Sequence, residues 1–93
     1  MKVRELLTET NWIQGDFAKT KDGVPTTGGD RRAVCWCLAG AIAACYSHET
    51  RHTIFSKVND CLVDSYHFHA GIYKFNDNFT WKDIDDVIET TGI

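Results

Sequence analysis

Four cysteines and four histidines are the side chains of this 93-residue chain best suited to metal binding. A structural zinc site needs Cys or His pairs at short, fixed spacings. On a helix, Cys35 and Cys37 would lie about 200° apart, on opposite faces. His67 and His69 share a face only if that stretch is extended. We therefore predict no metal site and no cofactor, with buried cysteines and exposed histidines.

A cysteine nucleophile is a second chemical possibility. Cys35 or Cys37 could be activated by His67 or His69 and oriented by Asn76, an order similar to the roles in papain-like cysteine hydrolases. We expect Cys35 in the first turns of a helix, where the dipole favours the thiolate. The same order arises by chance in any small chain with four Cys and four His. A binding protein is therefore favoured over an enzyme, and a small cysteine hydrolase remains an alternative.

Two arginines and two polar residues could bind a ligand. Arg31 and Arg32 are expected at a helix start behind an Asp30 cap, where helix N-termini attract phosphate. Their spacing matches no known nucleotide motif, so exposed arginines without a ligand are the favoured interpretation. Gln14 and Asp77 could contact a polar ligand or support a loop. A module that sequesters a small phosphate-bearing ligand is thus another alternative function.

Acidic and aromatic residues are concentrated in the last third of the chain. The net charge is −3, and residues 76–93 hold one Lys against five acidic residues, a net of −4. Nucleic-acid binders usually carry a basic stripe, so we expect no direct nucleic-acid binding. An acidic end can attract a basic protein surface, although a solvated helix face is the simpler interpretation. The candidate interface consists of Tyr73, Phe75, Asp83, Asp85, Asp86 and Glu89.

The elements that position these residues are predicted to be helices. Apolar residues in 54–66 repeat at spacings of three and four, which indicates an amphipathic helix. The stretch 67–79 fits a short helix or an extended segment. Thr80 and Asp83 form a capping pair for a last helix that ends at Gly92.

The first half of the chain contains the predicted centre of the fold. Apolar spacing over 3–17 indicates helix, and the Gly- and Thr-rich stretch 20–30 predicts the longest loop. Residues 31–46 are apolar almost all round, which indicates a buried central helix. We predict a mainly α fold in a single domain, 1–93. Its architecture is a compact bundle of four or five helices around the central apolar helix 31–46.

The chain start and the apolar runs predict a location away from membranes. Met-Lys-Val-Arg leads into an amphipathic pattern and not a signal peptide. The longest apolar run, residues 33–46, is shorter than the roughly 20 residues that a membrane span needs. We expect a cytoplasmic protein without a membrane partner, in the host cytoplasm if it is phage-encoded. In that reducing compartment the cysteines should be free thiols.

Three short motifs resemble those of a family of small uncharacterised proteins found in bacteria and their phages. They are a W-x-Q-G element, a C-x-x-G-A element, and an N-D step before a helix, which here correspond to Trp12-Ile13-Gln14-Gly15, Cys37-Leu38-Ala39-Gly40-Ala41, and Asn76-Asp77 followed by Thr80 and Val87. The resemblance implies a compact helical fold and no particular reaction. Small acidic phage proteins often bind host components. Our leading hypothesis is therefore a phage- or prophage-type binding protein. It would engage, and could inhibit, a host protein such as a CRISPR-Cas defence complex.

Overall fold

The computed structural model describes all residues, Met1–Ile93. Five helices and three strands follow one another as α1 (Val3–Leu6), β1 (Ala18–Thr20), β2 (Pro25–Thr26), β3 (Ala33–Trp36), α2 (Leu38–Cys45), α3 (His48–Tyr66), α4 (Ile72–Asn78) and α5 (Trp81–Thr91). The three strands form an antiparallel sheet in the order β2-β1-β3. The fold is therefore mixed α/β, and the prediction of a purely helical bundle is wrong.

The error lies mainly in residues 31–46, which do not form one helix. Their first half is β3 and only their second half is α2, because a continuous apolar run fits a buried strand as well as a buried helix. Cys37 has extended backbone angles (φ −77°, ψ 174°) and separates the two elements. A register shift in the pairing of β3 with β1 makes Val34 an extra, half-exposed residue. That bulge leaves Ala33 and Trp36 buried.

The predicted loop over 20–30 is partly sheet. It contains the turn between β1 and β2, closed by a hydrogen bond from the Thr20 amide to the Val24 carbonyl oxygen (2.9 Å), and it contains β2 itself. Ala18 of β1 lies opposite Thr26 on one side and Trp36 on the other. The glycines in this stretch thus serve a hairpin as well as a loop.

The predicted helical character of residues 3–17 holds only for α1, which ends at Leu6. Further along, the segment around Trp12 runs beside β3. The Trp36 amide donates to the Asn11 carbonyl oxygen (2.9 Å), and the Ile13 amide donates to the Trp36 carbonyl oxygen (3.0 Å). Because of this pairing, the chain leaves β3 after Ile13, and the next residues lie against α4.

Helix α2 lies at the centre of the packing, in contact with α1, α3 and α4. Its first five residues, Leu38 to Ile42, are all buried. Gly40 packs directly on backbone, because a Cβ atom there would overlap the carbonyl oxygen of Phe17. On the other side, a Cβ atom at Gly28 would overlap the carbonyl oxygen of Gly40. The backbone on both sides of the β1–β2 hairpin, at Phe17 before it and Gly28 after it, therefore touches α2 with no side chain in between.

The C-terminal half follows its local sequence signals. The amphipathic helix predicted over 54–66 is confirmed as part of α3, which begins behind a Ser47 cap. The capping pair of Thr80 and Asp83 is confirmed at the start of α5, and Gly92 is its C-cap. None of the helices is both long enough and apolar enough to cross a bilayer.

Candidate functional site

Asn76 is a buried amide, 1% exposed, that joins three parts of the chain. Its Oδ1 accepts hydrogen bonds from the Trp12 indole Nε1 (2.6 Å) and from the Leu38 amide (2.9 Å). Its Nδ2 donates to the Ile13 carbonyl oxygen (3.0 Å) and to Asp77 Oδ1 (3.3 Å). The side chain thus satisfies the first amide of α2, the segment beside β3, and its own neighbour on α4.

Gln14 and Gly15 complete this junction from the other side. Gln14 Nε2 donates to the carbonyl oxygens of Asn76 (3.0 Å) and Phe79 (3.2 Å), which satisfies groups at the end of α4. The Gly15 amide donates to Asp77 Oδ1 (2.9 Å). Gly15 has a φ of +89°, a conformation that other residues rarely adopt. The turn that follows Gln14 is therefore fixed by the carboxylate of Asp77.

Cys37 is the N-cap residue of α2. Its Sγ accepts a hydrogen bond from the Gly40 amide (3.2 Å), and its own amide donates to the Phe17 carbonyl oxygen (3.0 Å). Burial raises the pKa of the Cys37 thiol, and the nearby charge of Asp77 acts in the same direction. The thiol is therefore held in its neutral form at physiological pH.

These groups surround a cavity of about 440 Å³. Cys37, Asn76 and Asp77 line it from the side of α2 and α4. Gly15 and Asp16 line it from the turn before β1. Thus the residues that hold the junction together also form part of the cavity wall.

Two aromatic rings and the sheet edge form the rest of the wall, with Pro25 and Thr26 contributed by β2. The rings of Phe17 and Tyr73 meet edge to face, with centroids 5.1 Å apart and an interplanar angle of 81°. Each of these residues is about half exposed, at 49% and 50%. The cavity therefore combines carboxylate and amide groups with an accessible aromatic pair.

The residues of the hydrolase hypothesis are only partly brought together. Cys37 and Asn76 both line the cavity, but no histidine does. Cys35 lies in β3, with its Sγ near the Lys19 carbonyl oxygen (3.8 Å), so the prediction that it lies at a helix start is wrong. All four cysteines are free, and no group of three or more His, Cys, Asp or Glu side chains is placed to hold a metal ion.

The arginines considered as an alternative phosphate site lie outside this cavity. Arg31 and Arg32 precede β3 and not a helix, so the expected Asp30 helix cap and its dipole are absent. Arg32 Nη2 instead pairs with Asp30 Oδ2 at 2.9 Å. The Arg32 guanidinium, together with the Thr26 hydroxyl, holds the pKa of the Asp30 carboxyl well below its usual range. Asp30 therefore closes a local turn.

The aromatic half of the predicted interface is not a surface patch. Phe75 is fully buried, so its assignment to an exposed interface is wrong. It stacks on Phe79 with a centroid separation of 4.1 Å and meets the ring edges of Tyr66 and Phe68. Of the two aromatic residues predicted there, only Tyr73 is exposed.

The four predicted acidic residues of α5 differ in their roles. Asp83 Oδ2 accepts from the Thr80 amide (3.3 Å) and hydroxyl (2.9 Å) as part of the helix cap. Asp86 Oδ2 accepts from the Tyr66 hydroxyl (2.7 Å). Asp85 and Glu89 are exposed. Only the last two make no hydrogen bond or ion pair through their side chains.

Several lining residues were not identified from the sequence. Asp16 and Phe17 carry no local signal, because a polar turn residue and an apolar residue before a strand are unremarkable in sequence. Trp12 does not line the cavity, and the sequence singles it out only as part of the W-x-Q-G motif. A buried indole N–H needs an acceptor and a buried Asn needs partners, so a search for mutual partners could have paired Trp12 with Asn76.

A family model described as a family of unknown function, DUF6197, matches residues 1–91. No curated protein and no solved structure matches the chain. The match agrees with the expected resemblance to uncharacterised proteins, while a bacterial or phage source stays a prediction.

Proposed function

The chain belongs to the DUF6197 family, whose function is not established, and we propose from its geometry that it is a non-enzymatic protein that binds a small organic molecule. The observation that carries this proposal is the cavity of about 440 Å³ beside Cys37 and Asp77. Small-molecule sites in proteins typically measure roughly 300–1,000 Å³ and combine apolar walls with a few convergent polar groups. This cavity has both properties.

The cavity wall is also rigidly built. The Asn76 amide uses both of its polar atoms on groups from other segments, and Asp77 fixes the Gly15 turn. A site whose walls are already ordered loses little conformational freedom when a ligand enters, so more of the contact energy appears as affinity. The junction described above therefore supports a binding role.

The chemistry of the lining supports binding over catalysis. The only thiol that lines the cavity is that of Cys37, and burial keeps it protonated. A cysteine hydrolase needs a neighbouring base to generate the thiolate, and no histidine lines the cavity. The site thus offers recognition groups without an activated nucleophile.

The proposal is tested by blocking the cavity with a large side chain. In Pro25→Trp the indole would enter the cavity, because Pro25 lines it. Val24→Trp is the matched control, since Val24 is its neighbour on the same hairpin, is 56% exposed and does not line the cavity. Ligand-observed NMR with a library of cationic, neutral and anionic fragments is the measurement.

We expect a subset of fragments to bind the wild-type protein and Val24→Trp, and to lose binding in Pro25→Trp. Thermal melting of both variants checks that they are folded. Equal binding by the two variants, or no fragment binding to the wild-type protein, would refute the proposal.

A second candidate function is docking of a basic protein on the acidic face of α3 and α5. Asp64 of α3 and Asp86 of α5 both lie near Cys61, whose thiol pKa is raised by burial and by these charges. Opposed charges increase the rate and selectivity of protein association. In this proposal the chain is encoded by a phage or prophage, and its partner is a protein of the host.

The acidic-face proposal is tested by reversing the two α5 acids that make no hydrogen bond or ion pair. Asp85→Lys with Glu89→Lys should abolish a protein-sized mass increment in native mass spectrometry after incubation with bacterial lysate. Reversal of Asp22, in the turn between β1 and β2, is the control and should leave the increment unchanged. An increment that survives the α5 reversal would count against this face.

A further inference from the structure

Both charged side chains that line the cavity are carboxylates, Asp16 and Asp77. Asp77 Oδ1 accepts from the Gly15 amide and from Asn76 Nδ2, while its Oδ2 makes no hydrogen bond within the protein. Asp16 Oδ2 pairs with Lys19 Nζ at 3.7 Å, in a pair whose two side chains are each more than a third exposed. Lys19 offsets part of the charge of Asp16, and Asp77 is the lining carboxylate that has no ion-pair partner.

Two of the backbone amides in this region that could attract an anion already have acceptors. The N-terminus of α2 could bind phosphate through its free amides. Its Leu38 amide, however, donates to Asn76 Oδ1, and its Gly40 amide donates to Cys37 Sγ. The Cys37 thiol is neutral and does not attract an anion by charge. An anion in the cavity would therefore face the unpaired Asp77 carboxylate without these two amides to compensate for it.

The aromatic pair at the cavity is suited to a positively charged ligand. The face of an aromatic ring is electronegative and attracts a cation within about 6 Å of its centroid. Phe17 and Tyr73 are half exposed, so their rings are accessible to a bound molecule. The same rings offer apolar contact to a hydrocarbon portion of the ligand.

From these three features we infer that the ligand of the cavity is a small organic cation, an amine protonated at neutral pH and joined to an apolar or aromatic body. The inference rests on the proposed function and specifies its ligand class. The ammonium group donates to Asp77 Oδ2, and the body lies against Phe17 and Tyr73. Phosphate-bearing ligands are disfavoured by the same charges.

The test uses matched probes that differ in charge and share one body. Phenethylamine, 2-phenylethanol and phenylacetate are such a triplet, titrated into the wild-type protein by isothermal calorimetry, alongside further triplets with other bodies. We expect the amine of a triplet to bind about tenfold or more tightly than its alcohol and its acid, the scale of one charge-assisted hydrogen bond.

Variants that each remove one carboxylate charge show which residue causes the preference for amines. Asp77→Asn keeps Oδ1 as an acceptor for the Gly15 amide and removes the charge, so amine affinity should fall about tenfold while alcohol affinity stays the same. Glu49→Gln removes an exposed charge from α3, outside the cavity, and should leave amine affinity unchanged.

Each contrary result has a distinct meaning. If an alcohol or acid binds as tightly as its amine, and Pro25→Trp abolishes that binding, the cavity is a ligand site but the cation inference is wrong. Amine binding that is unaffected by Asp77→Asn also overturns the inference. If no member of the panel binds while fragments of the library bind the wild-type protein and lose binding in Pro25→Trp, the inference fails and the proposed function stands.

Discussion

At the residue scale, Asn76 is the side chain on which the other parts of the site depend. It uses one oxygen and one nitrogen for four hydrogen bonds, and the Trp12 indole and the Leu38 amide make no other hydrogen bond. A buried donor or acceptor left without a partner costs about 1–3 kcal/mol. A change of this one amide therefore affects α2, α4 and the segment beside β3 together.

Asn76→Asp should lower the free energy of unfolding by about 3 kcal/mol at pH 7. The variant loses the N–H that serves the Ile13 carbonyl oxygen and places a second carboxylate beside Asp77. Burial and the like charge raise the pKa of the new carboxyl, so the loss is largest above that pKa and shrinks as the pH falls through it. Urea unfolding at pH 7 and pH 4.5 measures the loss of stability and its decrease at the lower pH.

The control for this change is Asn78→Asp, which adds the same charge to an exposed position two residues further along α4. It should alter stability by less than about 1 kcal/mol, the scale of a charge near a helix end. A loss in Asn78→Asp equal to that of Asn76→Asp would show that charge alone, and not the buried hydrogen bonds, is responsible.

At the element scale, the hairpin and α2 depend on a contact between backbones. Gly28→Ala should lower the unfolding free energy by about 3 kcal/mol or more, since its Cβ atom meets the Gly40 backbone, which cannot move without shifting α2. Gly29→Ala is the adjacent control. The nearest atoms to its Cβ would lie 3.9 Å away, which is ordinary contact. Thermal melting compares the two.

Gly29→Ala should be neutral or stabilising by about 0.4–1 kcal/mol, because alanine restricts the unfolded chain. Similar melting temperatures for the two variants would mean that the hairpin can move away from α2 without loss, contrary to the packing described.

The individual elements also differ in how well they can be predicted from the sequence. Helices α3 and α5 are set by local signals, an apolar repeat for one and a capping pair with Gly92 for the other. β3 and α2 share one apolar run, and their boundary at Cys37 depends on pairing with β1. That pairing is not encoded in the run itself, so helix and strand could not be distinguished there.

The site was predictable in its parts but not in its assembly. Gln14, Cys37, Asn76 and Asp77 stand out as polar or reactive residues in short motifs. Their contacts join residues more than sixty positions apart, such as Trp12 with Asn76. No local periodicity encodes such contacts, so the cavity and its Asp16 and Phe17 wall appear only in the folded chain.

At the scale of the whole molecule, alkaline pH should reduce stability. Five groups have pKa values raised chiefly by burial: Cys37, Cys45, Cys61, Tyr46 and Tyr66. In the unfolded chain they ionise near their ordinary values of 9.0 for Cys and 10.0 for Tyr. Their stabilising effect is complete below these values and is lost as the pH rises towards the raised values of the folded state.

Urea unfolding under reducing conditions should therefore give a lower midpoint at pH 10 than at pH 7.5. Tyr66→Phe removes one of the five groups and should show a smaller decrease between the two pH values. A midpoint that stays constant to pH 10 would contradict the burial of these groups.

The hydrogen bond between the Trp12 indole and Asn76 gives the cavity an optical signal of its own. Indole fluorescence depends on the polarity around its N–H, and Asn76, which holds that N–H at 2.6 Å, is itself part of the cavity wall. A molecule that enters the cavity changes the surroundings of this amide, and with them the emission of Trp12. We therefore expect a ligand of the cavity to shift the emission of Trp12, one of the three tryptophans of the chain, without any attached dye.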